Sequence, residues 1–238
     1  MSAALAADDF VAWLKHEGEA RYHNSHPIHR MMHAGLLSQQ QLQEWVRNRY
    51  YYQSRIPLKD ALILAKSEDP DFRRTWLRRI RDQDGDVVGT GGLENWLRLA
   101  EGVGLDRNSV ARFEGVLPAV RFACDAYVEL VRGRTLLEAV ASSLTEFFAP
   151  DLMSARIDAW TRHYPWVSAA SLAYFRSRVP RARQDSDEAI HFVLQNATTY
   201  AAQQLAVAAL IRKTEILWAL LDAQRGYYEP SVWNAHQG

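Results

Sequence analysis

Apolar residues along this chain return at every third or fourth position, and sustained two-residue alternation is hard to find. That is the pattern of helices that each bury one face. The spacing predicts helices at about 8–20, 27–36, 39–66, 70–82, 92–103, 106–131, 135–148, 150–162, 168–178, 185–196 and 199–224. Several ends are marked chemically. Ser38 with Gln41 has capping-box spacing, Thr135 with Glu138 repeats it, Asp69-Pro70 offers a cap and a first-turn proline, and Asp106 precedes another helix. Long helices with short links predict an all-α fold, a compact antiparallel bundle. No internal repeat or low-complexity linker interrupts it, so residues 1–238 read as one domain.

One stretch departs from ordinary core chemistry. Arg49-Tyr50-Tyr51-Tyr52-Gln53-Ser54-Arg55-Ile56-Pro57-Leu58-Lys59-Asp60 sets cations, phenols and an amide next to an apolar stripe of Leu42, Trp45, Val46 and Tyr50. Arg49, Tyr52, Gln53 and Ile56 fall on one side at helical spacing, and Pro57, which cannot donate to the carbonyl of Gln53, should kink the helix beside them. The combination suits an anionic, planar ligand. Packed tyrosines and snorkelling cations explain it equally, because spacing does not separate core from pocket.

Composition narrows the classes of function. The 48% hydrophobic and 11% aromatic content supports a buried core, while Lys plus Arg and Asp plus Glu, at 28 each, leave no net field to attract nucleic acid or an anionic membrane. Arg73, Arg74, Arg78, Arg79 and Arg81 therefore read as a solvated face. Cys124, beside Phe122 and Ala123, fits a small buried apolar group better than a nucleophile, and one cysteine makes neither an intramolecular disulfide nor a zinc pattern. With no leader-like start and no run long enough to span a membrane, a cytoplasmic location is expected.

Candidate chemistry is spread along the chain. His23, His26, His29 and His33 are the densest histidine group, but the Glu of His-Glu-x-x-His is missing, which favours packing or substrate contacts over a metal centre. Glu188-Ala189-Ile190-His191 is a lone Glu-x-x-His where a di-iron bundle needs two. Asp82 to Gly92 carries four glycines without phosphate-loop spacing and reads as a lid or a simple loop. Farther on stand Glu146, Arg156, and Tyr174 with Arg178 four residues apart on one face. Lys213 sits among Leu210, Leu217 and Trp218, where its ammonium must reach water or meet an anion.

In order along nearly the whole chain, a set of motifs resembles the pyrroloquinoline-quinone synthase family, the PqqC-type proteins that complete biosynthesis of that redox cofactor. They are Tyr22-His23 with His26-Pro27, Asn48 to Gln53, Ile56 to Asp60, Gly91 to Leu97, Arg121-Phe122 through Tyr127, Ser142 to Glu146, Tyr164-Pro165-Trp166, Tyr174 to Arg178, and Leu217-Trp218. The resemblance implies a heme oxygenase-like helical fold, a homodimer, and an oxidase with neither metal nor organic cofactor. Its implied substrate is a multiply carboxylated, quinone-bearing amino acid derivative; an amine closes onto the quinone carbonyl, dioxygen removes electrons, hydrogen peroxide leaves, and pyrroloquinoline quinone is the bound product. By motif position it implies catalytic roles for His23, Gln83, Tyr174 and Arg178, and substrate contacts from Tyr22, Arg49, Gln53, Lys59, Tyr127, Glu146, Arg156 and Lys213. Family members usually carry His where this chain has Gln83, and many carry His at Met153, which puts proton transfer and oxygen activation in question. The alternative is a related protein that binds a quinone or polycarboxylate, or oxidises another aromatic substrate, with altered chemistry. A metal-dependent oxidase on the same fold is disfavoured by Gln83, Met153 and Tyr174 at places where ligands would be expected.

Overall fold

The computed structural model describes residues 3–228; the outermost positions of the 1–238 domain reading lie outside the described residues. Eleven α-helices and three 3₁₀ turns, with no strand, account for the regular structure of these residues. The helices are α1 (Ala7–Arg21), α2 (Pro27–His33), α3 (Gln39–Ala65), α4 (Pro70–Asp84), α5 (Gly91–Gly102), α6 (Arg107–Ala111), α7 (Pro118–Gly133), α8 (Leu136–Ala141), α9 (Ala149–His163), α10 (Ala173–Asn196) and α11 (Tyr200–Tyr228). The 3₁₀ turns are His23–Ser25, Ser142–Phe148 and Ala169–Leu172. Both expected capping boxes form, Ser38 with Gln41 and Thr135 with Glu138, and Asp69 and Asp106 accept backbone N–H groups at the starts of α4 and α6.

Three expectations need correction. The helix foreseen at 106–131 is two helices, because the chain reverses through Phe113 at φ 60° and Gly115 at φ 72° before Pro118 opens α7. The separate helices at 168–178 and 185–196 are one, α10, which runs on through Pro180. A proline costs the helix only the hydrogen bond it cannot donate and some crowding, and packing along the length of α9 and against the turn Ser142–Phe148 offsets that loss. The arginine run of α4 is not a uniformly solvated face either. Arg79 is buried and donates to the backbone carbonyl of Asp185, while Arg78 pairs with Glu188 at 2.6 Å and reaches Asp185 at 3.5 Å. The helix expected at 39–66 does form as one, α3, running through Pro57.

The long α3 is the hub, packing on α4, α5, α7, α8 and α11. Its Trp45 lies fully buried against Trp96 of α5 and Trp160 of α9, with ring centroids 5.7 and 6.0 Å apart, and Phe175 of α10 closes the cluster. A polar clamp fixes α3 to α4: the Asp60 carboxylate accepts from Trp76 Nε1 at 2.9 Å and pairs with Lys59 at 2.6 Å, all three residues being buried. Burial alone would lower the Lys59 pKa, yet Asp60, foremost among its neighbours, raises it. Asp60→Ala would leave that ammonium without its carboxylate and the indole N–H without an acceptor. Loss of one partner of a buried pair typically costs about 3–5 kcal/mol. Denaturant unfolding of Asp60→Ala is expected to show a loss of that order, larger than that of the double variant Lys59→Met, Asp60→Leu, which removes both charges instead of stranding one.

Candidate active site

Where α3, the end of α1, the 3₁₀ turn Ser142–Phe148, α10 and α11 converge, they enclose a cavity of about 50 Å³. Helical spacing on α3 brings Arg49, Tyr52, Gln53 and Ile56 to its wall together. Tyr22 caps the C-terminus of α1 and His23 begins the following 3₁₀ turn, so both face inward from a short, tightly wound segment. Gln83 comes from the last turn of α4, Glu146 and Thr145 from the 3₁₀ turn, Met153 from α9, Tyr174 and Arg178 from one face of α10, and Leu217 from α11.

Eight of the twelve sequence-selected residues line this cavity: Tyr22, His23, Arg49, Gln53, Gln83, Glu146, Tyr174 and Arg178. The other four, Lys59, Tyr127, Arg156 and Lys213, are buried but stand behind the lining. Lys213 Nζ donates to Tyr52 Oη at 2.9 Å and lies 3.2 Å from the centroid of the Tyr127 ring, whose plane is stacked on that of Tyr52. Lys59 Nζ also donates to Ser143 Oγ at 3.0 Å. Arg156 sits over the Trp45 ring, and its Nη2 lies 3.3 Å from His29 Nε2. A guanidinium only donates, so His29 accepts there, and its Nδ1–H donates to the carbonyl of His23 at 2.9 Å.

The electrostatics are lopsided. Arg49 and Arg178 line the cavity, Arg156, Lys59 and Lys213 stand behind it, and Glu146 is the lone carboxylate of the lining. Arg178 is the best compensated, donating to Glu146 at 2.9 Å and to Asp185 at 3.0 Å; burial would lower its pKa, but Glu146, Tyr174 and Asp185 raise it. Arg156 has no such partner, and burial followed by the charge of Arg49 lowers it to about 9. Lys213 falls well below the ordinary lysine value, from burial first and then Arg49 and Lys59. Among the protein's own groups, a phenol and a ring face surround its ammonium. Burial and then His29 likewise hold His23 well below the usual imidazole range.

Several buried polar atoms at this place have no hydrogen-bond partner: both ring nitrogens of His23, Arg49 Nη1, Gln83 Oε1 and Arg156 Nε. Buried polar groups are nearly always satisfied, so such a cluster marks a place shaped for something else to bind. Tyr174 Oη donates to Gln53 Oε1 at 2.7 Å, and burial raises its pKa although Arg178 and Gln83 oppose the rise. The histidine group divides. His23 and His29 are buried at an edge-to-face separation of 4.9 Å, His26 is a helix cap that meets Asp222, and His33 faces a different pocket. No cluster of three metal-ligating side chains occurs among the described residues. Sequence reasoning did not select Tyr52, Ile56, Thr145 or Leu217 as site residues. Tyr52 carried a usable signal, three positions after Arg49 and four before Ile56; Thr145 did not, because the 3₁₀ winding that turns it inward has no mark in the sequence.

Comparison with known proteins is consistent with this geometry. Residues 14–223 match the model of the TENA/THI-4/PQQC family. A pyrroloquinoline-quinone synthase of Rhodopseudomonas palustris strain TIE-1 is 50% identical over 228 residues, covering 95% of this chain and 90% of its own. One from Rhizobium meliloti strain 1021 is 48% identical over 244 residues, covering 100% of this chain and 95% of its own. Among solved structures, a domain of unknown function from Shewanella denitrificans with a heme oxygenase-like fold superimposes with a TM-score of 0.74 at 12% identity, covering 96% of each chain. That likeness fixes the fold as heme oxygenase-like. The extent and level of identity to the curated relatives place the chain in the TENA/THI-4/PQQC family, on the side of its pyrroloquinoline-quinone synthases.

Proposed function

We propose that this protein catalyses the closing step of pyrroloquinoline quinone formation: ring closure of a quinone-bearing, polycarboxylated amino acid derivative, followed by its oxidation by dioxygen with release of hydrogen peroxide. The observation that carries the reading is the excess of buried cations over carboxylates around one cavity, together with its unpartnered polar atoms. An unpaired buried charge is expensive, and a ligand bearing several carboxylates removes that expense while being gripped bidentately by guanidinium forks. The names of the relatives support the same substrate class.

In this reading Arg49, Arg178, Arg156, Lys59 and Lys213 bind carboxylates and ring oxygens, and Tyr22, Gln53, Tyr127 and Glu146 orient the ring system. A cavity of about 50 Å³ holds only a few water-sized molecules, whereas a ligand of this size needs roughly 300 Å³ or more. Binding therefore parts the walls and draws Arg178 from Glu146 toward the ligand. In this reading His23 takes a proton from the closing amine, a role supported by its unengaged ring nitrogens. Tyr174 and Arg178 stabilise oxyanion character during electron transfer, each dioxygen taking up two electrons and two protons. The substrate carries its own redox centre, so the protein needs to supply only position, charge and proton transfer. We further propose that the enzyme is a cytoplasmic homodimer, with pyrroloquinoline quinone as its bound product and no resident metal.

Mixing the purified protein anaerobically with the ring-open precursor, then admitting oxygen, is expected to give a ring-closed intermediate first and pyrroloquinoline quinone with hydrogen peroxide afterwards, each followed by absorbance and mass spectrometry. Binding of the precursor with no oxidised product after oxygen is admitted would instead favour a related binding protein. Arg178→Ala is expected to lower affinity for pyrroloquinoline quinone by about 10-fold or more, the usual cost of a charge-assisted bidentate contact. At position 83 an amide stands where an imidazole would titrate near neutrality. Gln83→His is therefore expected to speed the oxidative phase, within the roughly 100-fold to 10,000-fold range of general acid–base catalysis, while ligand affinity stays nearly constant. An unchanged rate with ligand bound would assign that proton to another group.

A further inference from the structure

A second pocket, of about 290 Å³, opens on the outside of the same wall, between the end of α1 and the start of α9. Tyr22 lines both this pocket and the inner cavity, and Phe148, lining the outer one, meets the Tyr22 ring with centroids 5.1 Å apart. Tyr22 is thus the wall common to the two spaces, and Phe148 backs it from the outer side; together the rings make up the partition at this point. The seat of Phe148 is built for it: Gly18 of α1 lies beneath the ring, and a Cβ there would come within 2.6 Å of Phe148 Cε2.

The outer pocket has a different charge from the inner one. Glu19 and Asp151, both exposed, stand in its lining, and no lysine or arginine does. His33 adds no charge there, since burial and then the nearby Arg156 hold its pKa at about 4. Leu152 and Ala155 supply apolar wall. Two carboxylates within a Debye length of about 8 Å oppose the approach of a polyanion, and they leave a small neutral molecule unaffected.

We propose that this pocket is a port for the small neutral co-reactant, admitting dioxygen and releasing hydrogen peroxide through the Tyr22–Phe148 partition while the polycarboxylate is excluded from the route. The assignment rests on the oxidase reading above. It explains why the partition consists of two aromatic rings set against a glycine. A ring rotation opens space for a diatomic molecule, whereas the tricyclic ligand requires whole helices to part. Separating the routes also lets oxygen reach a cavity that the ligand has already filled.

Substitution at Phe148 tests the port without replacing any residue proposed to hold the ligand. Phe148→Ala widens the partition and Phe148→Trp fills it. In the preformed enzyme–precursor complex, the second-order rate constant with oxygen is expected to rise in the first variant and to fall about tenfold in the second, equal to ~1.4 kcal/mol on the passage barrier. The anaerobic association rate of the precursor should stay at the wild-type value in both. An oxygen rate constant that neither variant changes would overturn the port, and so would precursor association slowed by Phe148→Trp, which would show the polyanion using this route. Should the wild-type protein fail to oxidise the precursor at all, the oxidase reading fails separately and xenon decides the route. Crystals pressurised with xenon are expected to hold it at the partition, and its absence there would overturn the proposal.

Discussion

The structure turns on an unbalanced set of buried charges. Around Arg49 the helices bring together three arginines and two lysines, and Glu146, Asp185 and Asp60 do not neutralise them all. Arg178 and Lys59 each have a resident carboxylate; Arg156 and Lys213 do not, and the protein instead lowers their affinity for protons. Replacing such a cluster with apolar side chains would in general cost a fold nothing or stabilise it. The polycarboxylated ligand proposed above, whose negative charges would complete the cluster, accounts for its place at the centre of the bundle.

The surrounding fold holds the cluster in place. Trp45, Trp96, Trp160 and Phe175 form a rigid aromatic block under Arg156, and the Asp60 clamp fixes α3, which carries Arg49, Gln53 and Lys59. Asp185 does the same on the far side. It accepts from Arg178, lies 3.5 and 3.8 Å from Arg78 and Arg79, and so ties α4, with Gln83 at its end, to α10, with Tyr174 and Arg178 at its start. Both walls of the cavity are therefore positioned by buried ion pairs, interactions that a competing anion can enter and rearrange.

Much of this was legible in the sequence, for identifiable reasons. Apolar periodicity and four side-chain caps located most helices, and the spacing of Arg49, Tyr52, Gln53 and Ile56 placed them on one face that does line the cavity. What failed was local geometry that the pattern does not encode. Phe113 takes a left-handed conformation and splits an apparently continuous helix, whereas Pro180 is carried within α10, which packs on α9 and joins two segments read as separate helices. That second misreading also hid Asp185, since its role depends on α10 being continuous from Arg178 onward. Nor does sequence separate Arg79, buried against Asp185, from Arg74 on the same run, which stays exposed. Burial depends on which helix lands across from each residue.

The central claim, that buried cations await an anion, is tested most directly by counting protons on binding. Lys213 is poised below its ordinary pKa by burial and by Arg49 and Lys59. A carboxylate arriving beside it favours the ammonium and raises that pKa, so binding takes up a proton when the solution lies between the free and bound values. Affinity then weakens as pH climbs through the bound value. Calorimetric titration with pyrroloquinoline quinone over a pH series, in buffers of different ionisation enthalpy, should show net proton uptake on binding, abolished in Lys213→Met. Binding with no buffer dependence, or with the same uptake in Lys213→Met, would contradict the account.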